Sequence, residues 1–302
     1  MSIQYFDRYE QKMKVEKVYG GKAINFLYKN KTGRKLVQQL SKPFASKFLG
    51  YYHNSSISRH KISEFIRQYQ IDMNEYQIQE FNNFNDFFIR QFRPMARKWE
   101  ENPEILPAFC EGRYFAYEKI APEIQFPVKG KFLTSKLLLG EKTQKWQSTF
   151  ENGPLLLARL CPVDYHRFHF PTDGIIVDSE RVPGGLHSVN PMALETFGDI
   201  FCTNERFVTI IDTEKFGLIA YIEVGALGVG KIVQSHSLLP NQKCLRGEEK
   251  GYFLFGASTV IVLGQARGKS FRPCMDLLEN TNNKIETFVK LGDKLATSVV
   301  RD

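Results

Sequence analysis

The chain has 302 residues, 42% of them hydrophobic and 25% charged, proportions of a soluble globular protein with room for one large core or two smaller ones. No apolar run is long enough to cross a bilayer, and the start, Met1 to Asp7, lacks the apolar core of a signal peptide, which leaves at most a peripheral membrane role. Five cysteines (Cys110, Cys161, Cys202, Cys244, Cys274) are widely spaced and show no metal-ligand pattern, so reduced thiols, a cytoplasmic setting and no metal site are expected.

The net charge of +8 is concentrated at one end. Residues 1–50 carry eleven Lys or Arg against three acids (Asp7, Glu10, Glu16), an excess equal to that of the whole chain. Such an arm suits an anionic lipid surface, and a solvated charged face is the plainer alternative. Within it, Leu36, Val37, Leu40, Phe44 and Phe48 recur at helical spacing, with Pro43 expected to kink or divide the segment. Ile62, Phe65, Ile66 and Tyr69 repeat that period behind a candidate cap at Ser58. Asn85 or Asp86 is placed to cap a short helix in Phe84-Asn85-Asp86-Phe87-Phe88-Ile89-Arg90. Residues 1–104 therefore read as a helical, basic, membrane-facing region, its apolar stripes packing on the body or lying in a bilayer interface.

From about residue 105 the pattern changes to short β-like runs broken by Gly, Pro and Asn. The candidates are 114–117, 155–160, 175–177, 207–211, 218–224, 252–255 and 260–263. The expected fold class is α+β, with residues 105–302 forming an antiparallel barrel- or sandwich-like catalytic part.

Three places can carry chemistry. Gly256-Ala257-Ser258-Thr259 is a small polar break between two apolar runs, either a tight turn or a hydroxyl held against its own preceding carbonyl. His166 and His169 stand three apart after Pro162. A continuous strand would set them on opposite sides, whereas a turn or helical start would bring both imidazoles to one face, where they could move protons. Glu111, in Pro107-Ala108-Phe109-Cys110-Glu111-Gly112, is a loop acid or the group that orients a histidine. His53, His60, His187 and His236 read as structural. Thr259 is a strand residue or a hydrogen-bond partner near the carbonyl before Ser258.

In order along the chain stand Phe84–Arg90, Arg93-Pro94, Ala96-Arg97, Val128-Lys129-Gly130, Leu138-Leu139-Gly140 and Asp164-Tyr165-His166-Arg167-Phe168-His169-Phe170-Pro171. Val189-Asn190-Pro191, Asn204-Glu205-Arg206, Val224-Gly225-Ala226, Val229-Gly230 and Gly247–Phe253 follow, leading into Gly256-Ala257-Ser258-Thr259. Over nearly its whole length the chain resembles the phosphatidylserine decarboxylases. That resemblance implies a zymogen that cuts itself between Ala257 and Ser258, giving a β chain 1–257 and an α chain 258–302. Ser258 becomes a covalent pyruvoyl group that forms a Schiff base with phosphatidylserine and yields phosphatidylethanolamine and CO2. His169 is implied as the base for Ser258, Glu111 as its acid, and His166 as a partner in decarboxylation. The implied setting is the cytoplasmic face of a bacterial membrane, with an anionic membrane surface as partner and a homodimer allowed.

Two positions depart from the family pattern: Glu111 stands where aspartate is usual, and Ala257 where glycine is usual. They motivate a second reading, a lipid-binding relative that does not mature. A serine hydrolase using Ser258 and His169 is a third, without a Gly-x-Ser-x-Gly elbow. A nucleic-acid role for the basic arm has no supporting motif.

Overall fold

The computed structural model describes residues 3–41, 50–120, 133–196, 199–226, 231–256 and 258–302. The strands are β1 (Gln4–Asp7), β2 (Lys12–Val15), β3 (Ile105–Pro107), β4 (Gly112–Tyr117), β5 (Leu155–Leu160), β6 (Arg167–His169), β7 (Gly174–Val182) and β8 (Arg206–Thr213). They continue with β9 (Gly217–Val224), β10 (Ile232–Gln234), β11 (Lys243–Cys244), β12 (Glu249–Phe253), β13 (Ser258–Gly264), β14 (Gly268–Pro273), β15 (Glu286–Val289) and β16 (Lys294–Arg301). Every residue of β5 and of β13 is buried, so both faces of these strands need a cover and both lie inside a sheet.

That sheet has ten strands in the order β11-β7-β8-β9-β13-β5-β4-β15-β1-β2. All its pairings are antiparallel except β1 with β15. On β13 alternate residues face opposite ways. Val260 and Val262 join a core with Phe168, Phe253, Phe271 and Leu295, which lie on two three-stranded sheets, β10-β12-β6 and β14-β16-β3. Ile261 and Leu263 join a second core with Tyr28, Val37, Phe150 and Phe201, supplied by helical segments. Helices thus cover one face and small sheets the other. Among the described residues the edge strands β11 and β2 do not pair, so the expected sandwich-like packing is present and a closed barrel is not.

The expectation of a helical start needs correction. The chain begins with β1 and β2, which extend the large sheet. Glu16, just past β2, lies buried between Arg113 and Arg159, and Arg159 also pairs with Glu286. Burial alone would raise the Glu16 pKa, but the two guanidiniums hold it down at about 2. This buried ionic anchor fixes the N-terminal hairpin to the body.

Helices α1 (Gly21–Lys29) and α2 (Lys31–Leu40) follow. A side chain at Gly33 would meet the Phe26 carbonyl oxygen at 2.1 Å, so only glycine allows this close approach. Of the expected stripe, Val37 is buried, Leu36 is exposed, and Pro43, Phe44 and Phe48 lie outside the described residues. No helix among the described residues is long and apolar enough to cross a membrane.

Helix α3 (Lys61–Tyr69) starts from His60 rather than Ser58. The Ser58 hydroxyl instead donates to the carbonyls of His53 and Ser55 and accepts from the Phe84 N–H. Helix α4 (Phe84–Phe88) is capped by Asn83, whose side chain accepts from the Asp86 N–H at 2.9 Å, and not by Asn85 or Asp86.

Candidate active site

Ser258 opens β13 and is fully buried, opposite Leu160 on β5. Its Oγ stands 3.2 Å from Nδ1 of His166. The other ring nitrogen, Nε2, lies 2.8 Å from the Cys161 carbonyl oxygen. A carbonyl only accepts, so Nε2 carries the proton and Nδ1 is free to accept from the Ser258 hydroxyl. Burial pushes the His166 pKa down to about 3, the Arg90 cation adding to the effect, so the imidazole is neutral at neutral pH.

The fold sets this ring from several sides. Between β5 and β6 the chain turns through Cys161 to Asp164, where the Asp164 N–H donates to the Cys161 carbonyl at 2.8 Å. Asp164 Oδ2 accepts from the Cys161 N–H at 2.7 Å and from Arg113. Burial raises the Asp164 pKa to about 6 despite that arginine. From α4 the Phe88 ring stacks on His166, centroids 3.9 Å apart. Fully buried Arg90 donates to the carbonyls of Val163, at 2.9 Å, and Asp164, at 3.3 Å.

The strand that leads into Ser258 is held just as closely. The Phe255 N–H donates to Asn85 Oδ1 at 2.8 Å, and the Phe255 ring packs against His53, Phe84, Phe88 and Tyr19. Gly256 has φ +149°, a backbone region open essentially to glycine alone. Ala257 lies outside the described residues. Thr259 Oγ1 is buried with no partner among the described residues.

His166 and His169 are not on one face of a turn. The turn closes at Asp164 and the chain then runs extended through β6, so the two rings diverge. His169 Nδ1 donates to the Gly247 carbonyl at 2.9 Å, its Nε2 faces the Tyr165 hydroxyl at 3.4 Å, and Trp99 lies alongside. Burial lowers its pKa as well. Glu111 takes both arms of Arg97, at 2.5 and 2.8 Å, and accepts from the Leu291 N–H at 3.2 Å. Neither Ser258 nor Glu111 is a hydrogen-bond partner of His169 among the described residues. Carbonyl oxygens, not a carboxylate, fix both histidine tautomers.

Sequence reading missed Asn85, Phe88, Arg90 and Arg97 as site-building residues. Their signal was present in the Phe84–Arg90 and Ala96-Arg97 segments, but what each side chain reaches is a matter of tertiary structure. Among the described residues no cluster of His, Cys, Asp and Glu is suited to a metal ion.

Residues 84–297 match the profile of the family described as phosphatidylserine decarboxylase. The chain is 39% identical over 296 residues to the phosphatidylserine decarboxylase proenzyme of Desulfitobacterium hafniense strain Y51, covering 97% of each. It is 39% identical over 295 residues to that of Fusobacterium nucleatum, covering 97% of this chain and 96% of the relative. The proenzyme of Chlamydia pneumoniae is also 39% identical, over 298 residues, covering 98% of this chain and 97% of the relative. With a matching profile across most of its length and such relatives from end to end, the chain belongs to the phosphatidylserine decarboxylase family.

Proposed function

We propose that this protein matures by cutting itself before Ser258 and then decarboxylates phosphatidylserine to phosphatidylethanolamine and CO2. The observation that carries the reading is the sealed contact between the Ser258 hydroxyl and the neutral Nδ1 of His166, at 3.2 Å. Nδ1 takes the hydroxyl proton as Oγ attacks the Ala257 carbonyl carbon. The peptide C–N bond breaks, an ester to Oγ forms, and the Ser258 nitrogen gains the proton. Removal of the Ser258 Cα proton then expels the Ala257 carboxylate, leaving a double bond between Cα and Cβ. Water adds to the tautomeric imine, and ammonia leaves.

The resemblance gives the base to His169; the precursor contact supports His166, which we assign to the first proton transfer. The residues present fit a pyruvoyl group at position 258: a buried hydroxyl, a neutral acceptor, and an entering backbone with a glycine-only torsion. That group supplies an electron sink for the electrons left when CO2 departs. Burial around His166 and His169 keeps both rings neutral.

The substrate and its location belong to the same proposal. Lys29, Lys31, Arg34 and Lys35 on the α1–α2 hairpin are exposed and form no ion pair among the described residues, with half-exposed Phe26 and Leu36 beside them. This supports docking on an anionic surface at the cytoplasmic face of a bacterial membrane.

Incubated at neutral pH, the protein is expected to give two fragments, the smaller blocked to N-terminal sequencing, and to release CO2 from labelled phosphatidylserine in vesicles. His166→Ala should slow fragment formation by about 100-fold or more. An intact chain without CO2 release would favour the non-maturing relative suggested by Glu111, which here pairs with Arg97. Normal cleavage in His166→Ala with loss in His169→Ala would return the base to His169.

A further inference from the structure

Between the end of β12 at Phe253 and the start of β13 at Ser258, regular ladder pairing is interrupted. The Leu254 N–H finds the Lys231 carbonyl at 3.2 Å, whereas the next one, on Phe255, is met by a side chain, Asn85 Oδ1, at 2.8 Å. Asn85 is itself buried, and its amide donates to Asn54 Oδ1 at 2.7 Å, which orients the carbonyl oxygen toward the strand. The same short helix and the residue two past its end reach the other reacting partner: Phe88 stacks on His166, and Arg90 holds the carbonyls of Val163 and Asp164 in the turn before it. Helix α4 therefore grips the strand that enters Ser258 at one end and the loop that carries its proton acceptor at the other.

We infer that Asn85 is a positioning residue for self-cleavage, acting by fixing the backbone at Phe255, three residues before Ser258. This rests on the self-processing reading and deepens it. The downstream side needs no such device, because Ser258 is already held by β5. A lost acceptor at Phe255 lets the entering strand move relative to Ser258 Oγ, and an acyl shift tolerates little misplacement of the attacking atom.

The test follows fragment formation by full-length wild type, Asn85→Ala and Asn85→Asp, with thermal melting as the check on folding. Aspartate keeps the acceptor for the Phe255 N–H, so the expected result is at least tenfold slower cleavage in Asn85→Ala and a rate within about threefold of wild type in Asn85→Asp. A merely structural role would not single out the acceptor oxygen. Equal rates in wild type and Asn85→Ala, or an Asn85→Asp rate as slow as Asn85→Ala, would overturn the assignment. Should Asn85→Ala fail to fold, Asn85→Ser, whose hydroxyl stops short of the strand, replaces it. At least fivefold slowing relative to Asn85→Asp supports the role, and equality of the two ends it. An uncleaved wild type defeats the self-processing reading and this assignment together, whereas a cleaving wild type matched by Asn85→Ala defeats the assignment alone.

Discussion

At the scale of single residues, the decisive property is the neutrality of His166. Its partners are a carbonyl and a hydroxyl, and a phenyl ring covers it, so burial outweighs the Cys161 carbonyl, which alone favours the imidazolium, and the Arg90 cation adds to burial. With its pKa pushed from the ordinary 6.5 down to about 3, it remains a base at every pH well above 3. An ordinary imidazole would lose about 30-fold in its neutral form between neutral pH and pH 5. Self-cleavage followed by gel across that range should show no such fall, and a limb near pH 6.5 would place the proton acceptor elsewhere. The same shift has a consequence for stability, with the sign set by proton uptake. The unfolded chain protonates His166 as pH drops below 6.5 and the folded chain does not, so this contribution to stability is lost as pH falls from 6.5 towards 3. His53, lowered by burial to about 4, acts in the same direction. Asp164, raised by burial to about 6, opposes them, since the folded chain binds its proton first as pH falls. Denaturant titrations at pH 7.5 and 5 should show lower stability at pH 5.

At the scale of elements, β13 both carries Ser258 and forms the centre of the fold. Ile261 is fully buried on its helix-covered face, so Ile261→Ala is expected to cost about 2–5 kcal/mol by chemical denaturation, with a cavity left behind. On β5 the ionic anchor gives a different expectation. Arg159→Met removes the ion-pair partner of buried Glu286 and one of the two guanidiniums on buried Glu16, and is expected to destabilise by about 3–5 kcal/mol. The N-terminal hairpin should detach first, which amide exchange of β1 and β2 would detect. The Phe84–Arg90 segment shows how much of an element the sequence reveals. Its helical character and polar cap were legible, but the cap is Asn83, which leaves Asn85 to serve the strand before Ser258.

At the scale of the whole molecule, a cut before Ser258 falls where the chain passes between two packing units. Phe255 belongs to the aromatic cluster of α3 and α4, while Val260 and Val262 belong to the core of the large sheet. The α chain would still contribute β13, flanked by β5 and β9, together with β14, β15 and β16. After cleavage the two chains should therefore elute as one species in size exclusion and separate only in denaturant. Independent elution without denaturant would contradict the central placement of β13.

The sequence by itself determined the strands with continuous apolar runs, above all 155–160 and 260–263, because burial on both faces leaves an unbroken hydrophobic signature. It also determined the family, because the ordered motifs are specific. Short strands such as β6, β10 and β15 left too few residues to show a period, and β1 and β2 were hidden within a basic segment. Only the tertiary structure decided which groups meet: that His166 reaches Ser258, that Glu111 pairs with Arg97, and that carbonyl oxygens orient both histidines. The reason is physical: a side chain's residue type fixes what it can donate or accept, but its partner is chosen by backbone brought close from distant parts of the chain.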